Sequence, residues 1–105
     1  MAKKPSEAHL CMEGILVELF GSAHAEWQFA SPRRWRYDYF IPYYGLAVEI
    51  EGLNGRHQSI GGFIKDMEKY NYSTLAGHAL LRFTTRQVLN GQAEQTLKAW
   101  KKART

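Results

Sequence analysis

Three carboxylates stand out by their spacing. Glu49 and Glu51 sit two apart in Leu46-Ala47-Val48-Glu49-Ile50-Glu51, a run that reads as a strand, so their side chains leave the same face. Asp38 lies on the other arm of a tight turn, Pro42-Tyr43-Tyr44-Gly45, which folds it back alongside them. Like charges gathered among Tyr, Phe, Val and Ile repel, and burial raises the cost, unless a cation neutralises them. Hard oxygen donors without a nearby Cys or His pair suit Mg²⁺, with Mn²⁺ as a substitute. Such an ion lowers the pKa of water and offsets charge on a phosphate, which is the chemistry of phosphodiester hydrolysis. The competing reading is a pair of solvent-facing glutamates salt-bridged to Arg36 or Arg82.

Basic residues surround the acids. Arg33, Arg34 and Arg36 flank Trp35 just before Asp38, and alternation puts Arg34 and Arg36 on the face that carries Asp38. Guanidinium groups pair with phosphate oxygens in a bidentate way, so these arginines, with Arg56, are candidates to hold a DNA backbone. His57 follows Gly55-Arg56 immediately after the acids, where an imidazole could protonate a leaving oxygen. Lys69 lies one helical turn from Asp66, and a plain ion pair competes with a functional role. Lys98, Lys101, Lys102 and Arg104 read as a solvated helix end.

The elements that must position these groups follow from periodicity. Residues 6–20 read as a helix capped by Ser6, with Leu10, Ile15, Leu16, Leu19 and Phe20 recurring near helical spacing. Strands are expected over 26–30, 35–41 and 46–51, in an antiparallel meander. A glycine-rich loop over 52–62 leads to a helix over 63–76, with Phe63, Met67, Tyr70 and Leu75 turned inward and Gly77 ending it. A strand over 79–83 and a helix over 85–102, interrupted near Asn90-Gly91, complete the chain. The helix between the third and fourth strands is a crossover, so the reading is an α/β fold with a central mixed sheet flanked by helices.

Composition narrows the partner. The chain has 105 residues, 45% of them hydrophobic, and a formal net charge of +4. One core and one domain fit that length, and the basic excess suits a polyanion. The single Cys11 excludes an internal disulfide and a cysteine-based zinc site. No apolar leader or membrane-length run is present, which points to a soluble, cytoplasmic protein with no membrane partner.

With these residues in place, the segments Arg33-Arg34-Trp35-Arg36-Tyr37-Asp38-Tyr39, Leu46-Ala47-Val48-Glu49-Ile50-Glu51-Gly52, Gly55-Arg56-His57, Asp66-Met67-Glu68-Lys69-Tyr70-Asn71 and Leu81-Arg82-Phe83-Thr84 resemble the PD-(D/E)XK nuclease superfamily. Within it they are most similar to small phage and prophage endonucleases related to very-short-patch repair and Holliday-junction-resolving enzymes. The resemblance implies a single restriction-endonuclease-like αβββαβ domain and Mg²⁺-dependent hydrolysis of DNA. Asp38 takes the position of the first strand Asp and Glu49 that of the second acid. Glu13 falls where many relatives present a further acid to the metal, with Glu18 and Glu26 as competitors. The chain departs at Glu51, where most of the superfamily carries Lys and a minority Glu or Gln. Glu51 then either holds metal or takes the water's proton, and Lys69 is the candidate for the missing positive charge. A short chain covers few base edges, so structure-selective cutting of branched DNA is expected, by a homodimer if junctions are resolved. The rival readings are a mismatch- or strand-nicking enzyme, an RNA-directed hydrolase, and a DNA-binding module of the same fold without catalysis.

Overall fold

The computed structural model describes residues 6–30, 33–52 and 60–104. Helix α1 (Glu7–Phe20) begins where the Ser6 hydroxyl accepts the His9 backbone N–H at 3.1 Å, and ends at Gly21, whose φ of 87° favours glycine. Strands β1 (His24–Gln28) and β2 (Arg36–Ile41) follow. A single 3-10 turn, Pro42–Tyr44, with Gly45 in the left-handed region reverses the chain into β3 (Leu46–Glu51). Helix α2 (Ile60–Leu75) crosses over to β4 (Ala79–Thr84), and α3 (Thr85–Leu89) and α4 (Gln92–Lys102) close the fold. The expected interruption at Asn90-Gly91 is the break between α3 and α4, with Gly91 at φ 91°.

The sheet runs β1-β2-β3-β4. The first three strands are antiparallel neighbours and β4 is parallel to β3, so the mixed sheet expected from the crossover is present. The larger core joins Met12, Ile15 and Leu16 of α1, Val88 of α3 and Leu97 of α4 to Tyr39, Ile41, Leu46, Val48 and Phe83 on one face of the sheet. A smaller cluster of Tyr37, Phe40 and Ala47, backed by Trp27, Phe29 and Leu80, lies on the other.

Helix α2 covers that second face in an unexpected orientation. Tyr70 points to the sheet as expected, but beside it are Lys69 and Ser73, while Met67 and Leu75, expected inside, are 46% and 86% exposed; the side chain of Phe63 lies outside the described residues. At about 100° per residue, Leu75 lies about 160° and Met67 about 120° around the helix from Ser73. Leu10 is likewise turned outward, because Ala8, Met12, Ile15 and Leu16 define the buried stripe of α1. β1 lies two residues earlier than expected, and α2 begins at Ile60 rather than 63.

Candidate active site

The β2–β3 hairpin is paired from Ile41 with Leu46 to Tyr39 with Val48. Asp38 is the next residue along β2, and there its side chain takes over the ladder: Oδ2 accepts the Ile50 N–H at 2.8 Å. The strand is irregular at the same point. Tyr39 and Ile41 enter the larger core, but Tyr37 and Phe40 enter the smaller one, so alternation slips by one across Asp38. On the neighbouring strand, Ala25 pairs with Tyr39 and Trp27 with Tyr37, and Glu26 between them has φ 53°. A left-handed glutamate costs about 1–2 kcal/mol, and strain of this kind gathers at functional sites. Asp38 thereby keeps its carboxylate at the edge of the β2–β3 ladder, with its side chain 25% exposed. The imidazole Nε2 of His9 on α1 lies 4.0 Å from its Oδ2.

Glu49 and Glu51 both project toward α2, as period-two geometry requires. Glu49 is buried, and its Oε1 receives the ammonium of Lys69 at 2.7 Å. Burial pushes the Glu49 carboxyl up from its ordinary value; Lys69 opposes the rise, and the charges of Asp38 and Glu51 add to it. Asp38 and Glu49 are therefore within each other's field. Glu51 has other neighbours. Its Oε1 accepts from Arg82 Nε at 3.1 Å and from the Tyr70 hydroxyl at 3.3 Å, and the Arg82 Nη2 lies at 3.0 Å. Burial, followed by the charges of Glu49 and Glu51, holds the Tyr70 phenol well above its usual range, so it remains a donor.

Two other groups, Tyr39 and His9, are given no role by the sequence reading. Tyr39 donates its hydroxyl to the His9 carbonyl at 2.9 Å, and its pKa is pushed up to about 12 by burial and then by Glu13, Asp38 and Glu26. His9 is tied at its other nitrogen to Ser6 Oγ, 2.6 Å from Nδ1. His9 and Glu13 are one helical turn apart on α1, a spacing that could have drawn attention to both. Arg82 stands in the sequence as a surface partner for the glutamates and within Leu81-Arg82-Phe83-Thr84, and it does hold Glu51.

The remaining candidates are spread out. Glu13 and Glu18 are exposed on α1, and Glu26 is exposed beside Asp38's strand. Arg33 and Arg34 precede β2 and line an open groove with Trp35, Lys65 and Glu68, whereas Arg36 pairs across the strands with Gln28. His57 and Arg56 lie outside the described residues.

The donor set can be weighed against a divalent cation. Ile50 N–H and Lys69 Nζ occupy one oxygen each of Asp38 and Glu49. Among the described residues, no donor is bonded to the second oxygen of either. Among them, too, no three His, Cys, Asp or Glu side chains come together as a metal-holding group. Two carboxylates fit Mg²⁺ on chemical grounds, because this ion dehydrates reluctantly and is commonly held by one or two carboxylates with water and substrate phosphates.

Compared with family models, curated proteins and solved structures, the chain matches none. Among the described residues, no helix is long and apolar enough to cross a membrane.

Proposed function

We propose that the chain is a divalent-metal-dependent DNA endonuclease with a restriction-endonuclease-like core, and that Asp38, Glu49 and Lys69 form its centre. The observation that carries this reading is the placing of two acids on adjacent strands just past the last β2–β3 pair, near enough for the charge of Asp38 to raise the Glu49 carboxyl, with an ammonium 2.7 Å from the buried one. An ion held by Asp38 and Glu49 would supply Lewis acidity toward water and phosphate oxygens. The Ile50 N–H fixes the Asp38 carboxylate, so the acid need not reorganise when a ligand arrives. Lys69 neutralises Glu49 in the free protein and is placed to turn its charge toward a phosphate once that role passes to a cation. Arg82 and Tyr70 hold Glu51 beside this centre, where it adds negative potential and can accept a proton.

The substrate proposed is branched or otherwise distorted DNA, cut by a homodimer where two opposed strands are cleaved. Arg33, Arg34 and Arg36 supply backbone contacts. The test is a cleavage panel of four-way junction, flap, mismatch, linear duplex and RNA, run with Mg²⁺, with Mn²⁺ and with EDTA. Cutting that disappears in EDTA and returns with either ion supports the reading. Undiminished cutting in excess chelator, or no cutting of any member, would sink it.

A further inference from the structure

At the start of β2, planar groups are layered outward from the core. The ring of buried Tyr37 stacks on Phe29 at 3.9 Å with 3° between planes, and Phe29 on Trp35 at 6.4 Å with 22°. The Arg33 guanidinium lies over the Trp35 ring, its Cζ 4.5 Å from the centroid. Beyond this layer opens a groove of about 410 Å³ lined by Arg33, Arg34, Trp35, Lys65 and Glu68. That volume falls in the lower part of the roughly 300–1,000 Å³ typical of small-molecule sites, enough for one nucleotide.

Among the described residues, three cations and one carboxylate line this groove, and the ion pair between Arg33 and Glu68 is loose. Arg33 Nη1 and Glu68 Oε2 are 3.6 Å apart, with the two side chains 59% and 52% exposed. A contact so solvated is worth little and can be exchanged for a phosphate oxygen. Lys65 and Glu68 also lie on α2 immediately before Lys69, and one α-helical turn from Lys65 to Lys69 is about 6 Å. A DNA strand whose phosphate reached Lys69 would carry a neighbouring nucleotide toward the groove.

We infer that this groove holds an unpaired DNA nucleotide, its base stacked on the Trp35–Arg33 layer and its phosphates met by Arg34 and Lys65. The inference rests on the nuclease reading for the path of the strand, and it names the feature that reading leaves open: the substrate presents an unstacked base beside the cut. A base inside an intact duplex cannot reach the layer. Flaps, bulges and single-stranded tails can, since any base offers a π face to an aromatic or guanidinium plane.

The test is equilibrium binding by fluorescence anisotropy, with the full chain in EDTA so that nothing is cut. The probes are a labelled dT decamer, an abasic decamer with the same phosphates, and a blunt hairpin duplex. The thymidine decamer should bind at least about fivefold more tightly than the abasic one, the smaller end of what stacking one base contributes. Trp35→Ala should weaken the thymidine decamer by a similar factor and the duplex by less than twofold, while Trp35→Phe keeps most of the affinity. Equal binding of thymidine and abasic decamers to the unaltered protein would overturn the proposal, whether or not Trp35→Ala folds. So would a duplex bound as tightly as the single strand. Cleavage of the DNA panel with equal decamer affinities would remove the groove alone, and the stated affinities without cleavage would remove the nuclease reading alone.

Discussion

Replacing Lys69 by Met would leave the buried Glu49 carboxylate without the ammonium that now sits 2.7 Å away. At an effective dielectric of about 20, two unit charges at that distance attract by about 6 kcal/mol. Most of this is offset by desolvation, which costs several kcal/mol for each ion, so the intact pair contributes little net stability. Both side chains are well covered, 15% exposed for Lys69 and 10% for Glu49, so removing one alone strands a charge rather than releasing it to water. The expected loss for Lys69→Met at pH 7 without metal is about 3–5 kcal/mol. Urea unfolding with EDTA would measure it, with the Glu49→Leu/Lys69→Met double variant as reference. An apolar pair of similar volume should return to within about 1 kcal/mol of the parent chain. The pH dependence has a fixed sign. Burial already raises the Glu49 carboxyl above its ordinary value, and without Lys69 it must rise further. A group held up in the folded state favours folding fully below its unfolded pKa and loses that contribution as pH rises through its folded pKa. The deficit of Lys69→Met should therefore shrink as pH falls below neutrality. A variant within about 1 kcal/mol of the parent at pH 7, or a deficit that grows on acidification, would refute the buried-pair argument.

Asp38→Asn and Glu49→Gln should abolish cleavage while keeping or raising DNA affinity, since each removes a negative charge from the phosphate's path; normal single-turnover rates would mean that the centre lies elsewhere. Arg34→Ala should lower the slope of log affinity against log salt by about one, because one phosphate is no longer neutralised, and an unchanged slope would remove Arg34 from the interface. Glu51→Lys restores the commoner superfamily pattern but sets an ammonium where Glu51 Oε1 now lies 3.0 Å from Arg82 Nη2, so activity should fall. A fully active Glu51→Lys protein, with its fold checked by circular dichroism, would show that this carboxylate is dispensable.

The elements carrying the acids were legible because their signals are local. Pro42 and Gly45 define the turn, Val48 to Glu51 alternates apolar with acidic, and β3 falls where its pattern puts it. The parallel placement of β4 followed from the length of the crossover. What sequence could not give was the slip at Asp38. Period-two reasoning carries Arg36 and Tyr37 through β2 as though the strand were regular, whereas Tyr37 and Tyr39 enter different clusters. Nor does the pattern say which partner each glutamate takes. Glu49 and Glu51 look equivalent in a strand, but α2 brings Lys69 to one, and β4, lying parallel, brings Arg82 to the other. His9, like His24 and His78, has no functional context in the sequence, because its approach to Asp38 depends on where α1 lies, a tertiary fact.

The orientation of α2 links these observations. Hydrophobic burial alone would turn Met67 and Leu75 toward the sheet and leave Lys69 in water. The helix instead buries Ser73 against the Tyr37 hydroxyl at 2.6 Å and sets Lys69 and Tyr70 over the two glutamates. These bonds fix the helix's rotation: turning it by half a revolution would cover Met67 and Leu75 but leave Glu49 buried without its cation, while the Tyr37 hydroxyl would keep only His78 Nδ1, 2.8 Å away. An unpaired buried carboxylate costs about 3–5 kcal/mol, comparable to the roughly 1.5–3 kcal/mol gained by covering each large apolar side chain. The acids on β3 therefore do more than await a ligand. By demanding a cation from the crossover helix, Glu49 sets which face of α2 meets the sheet, and the same rotation brings Lys65 and Glu68 to the groove beside Trp35.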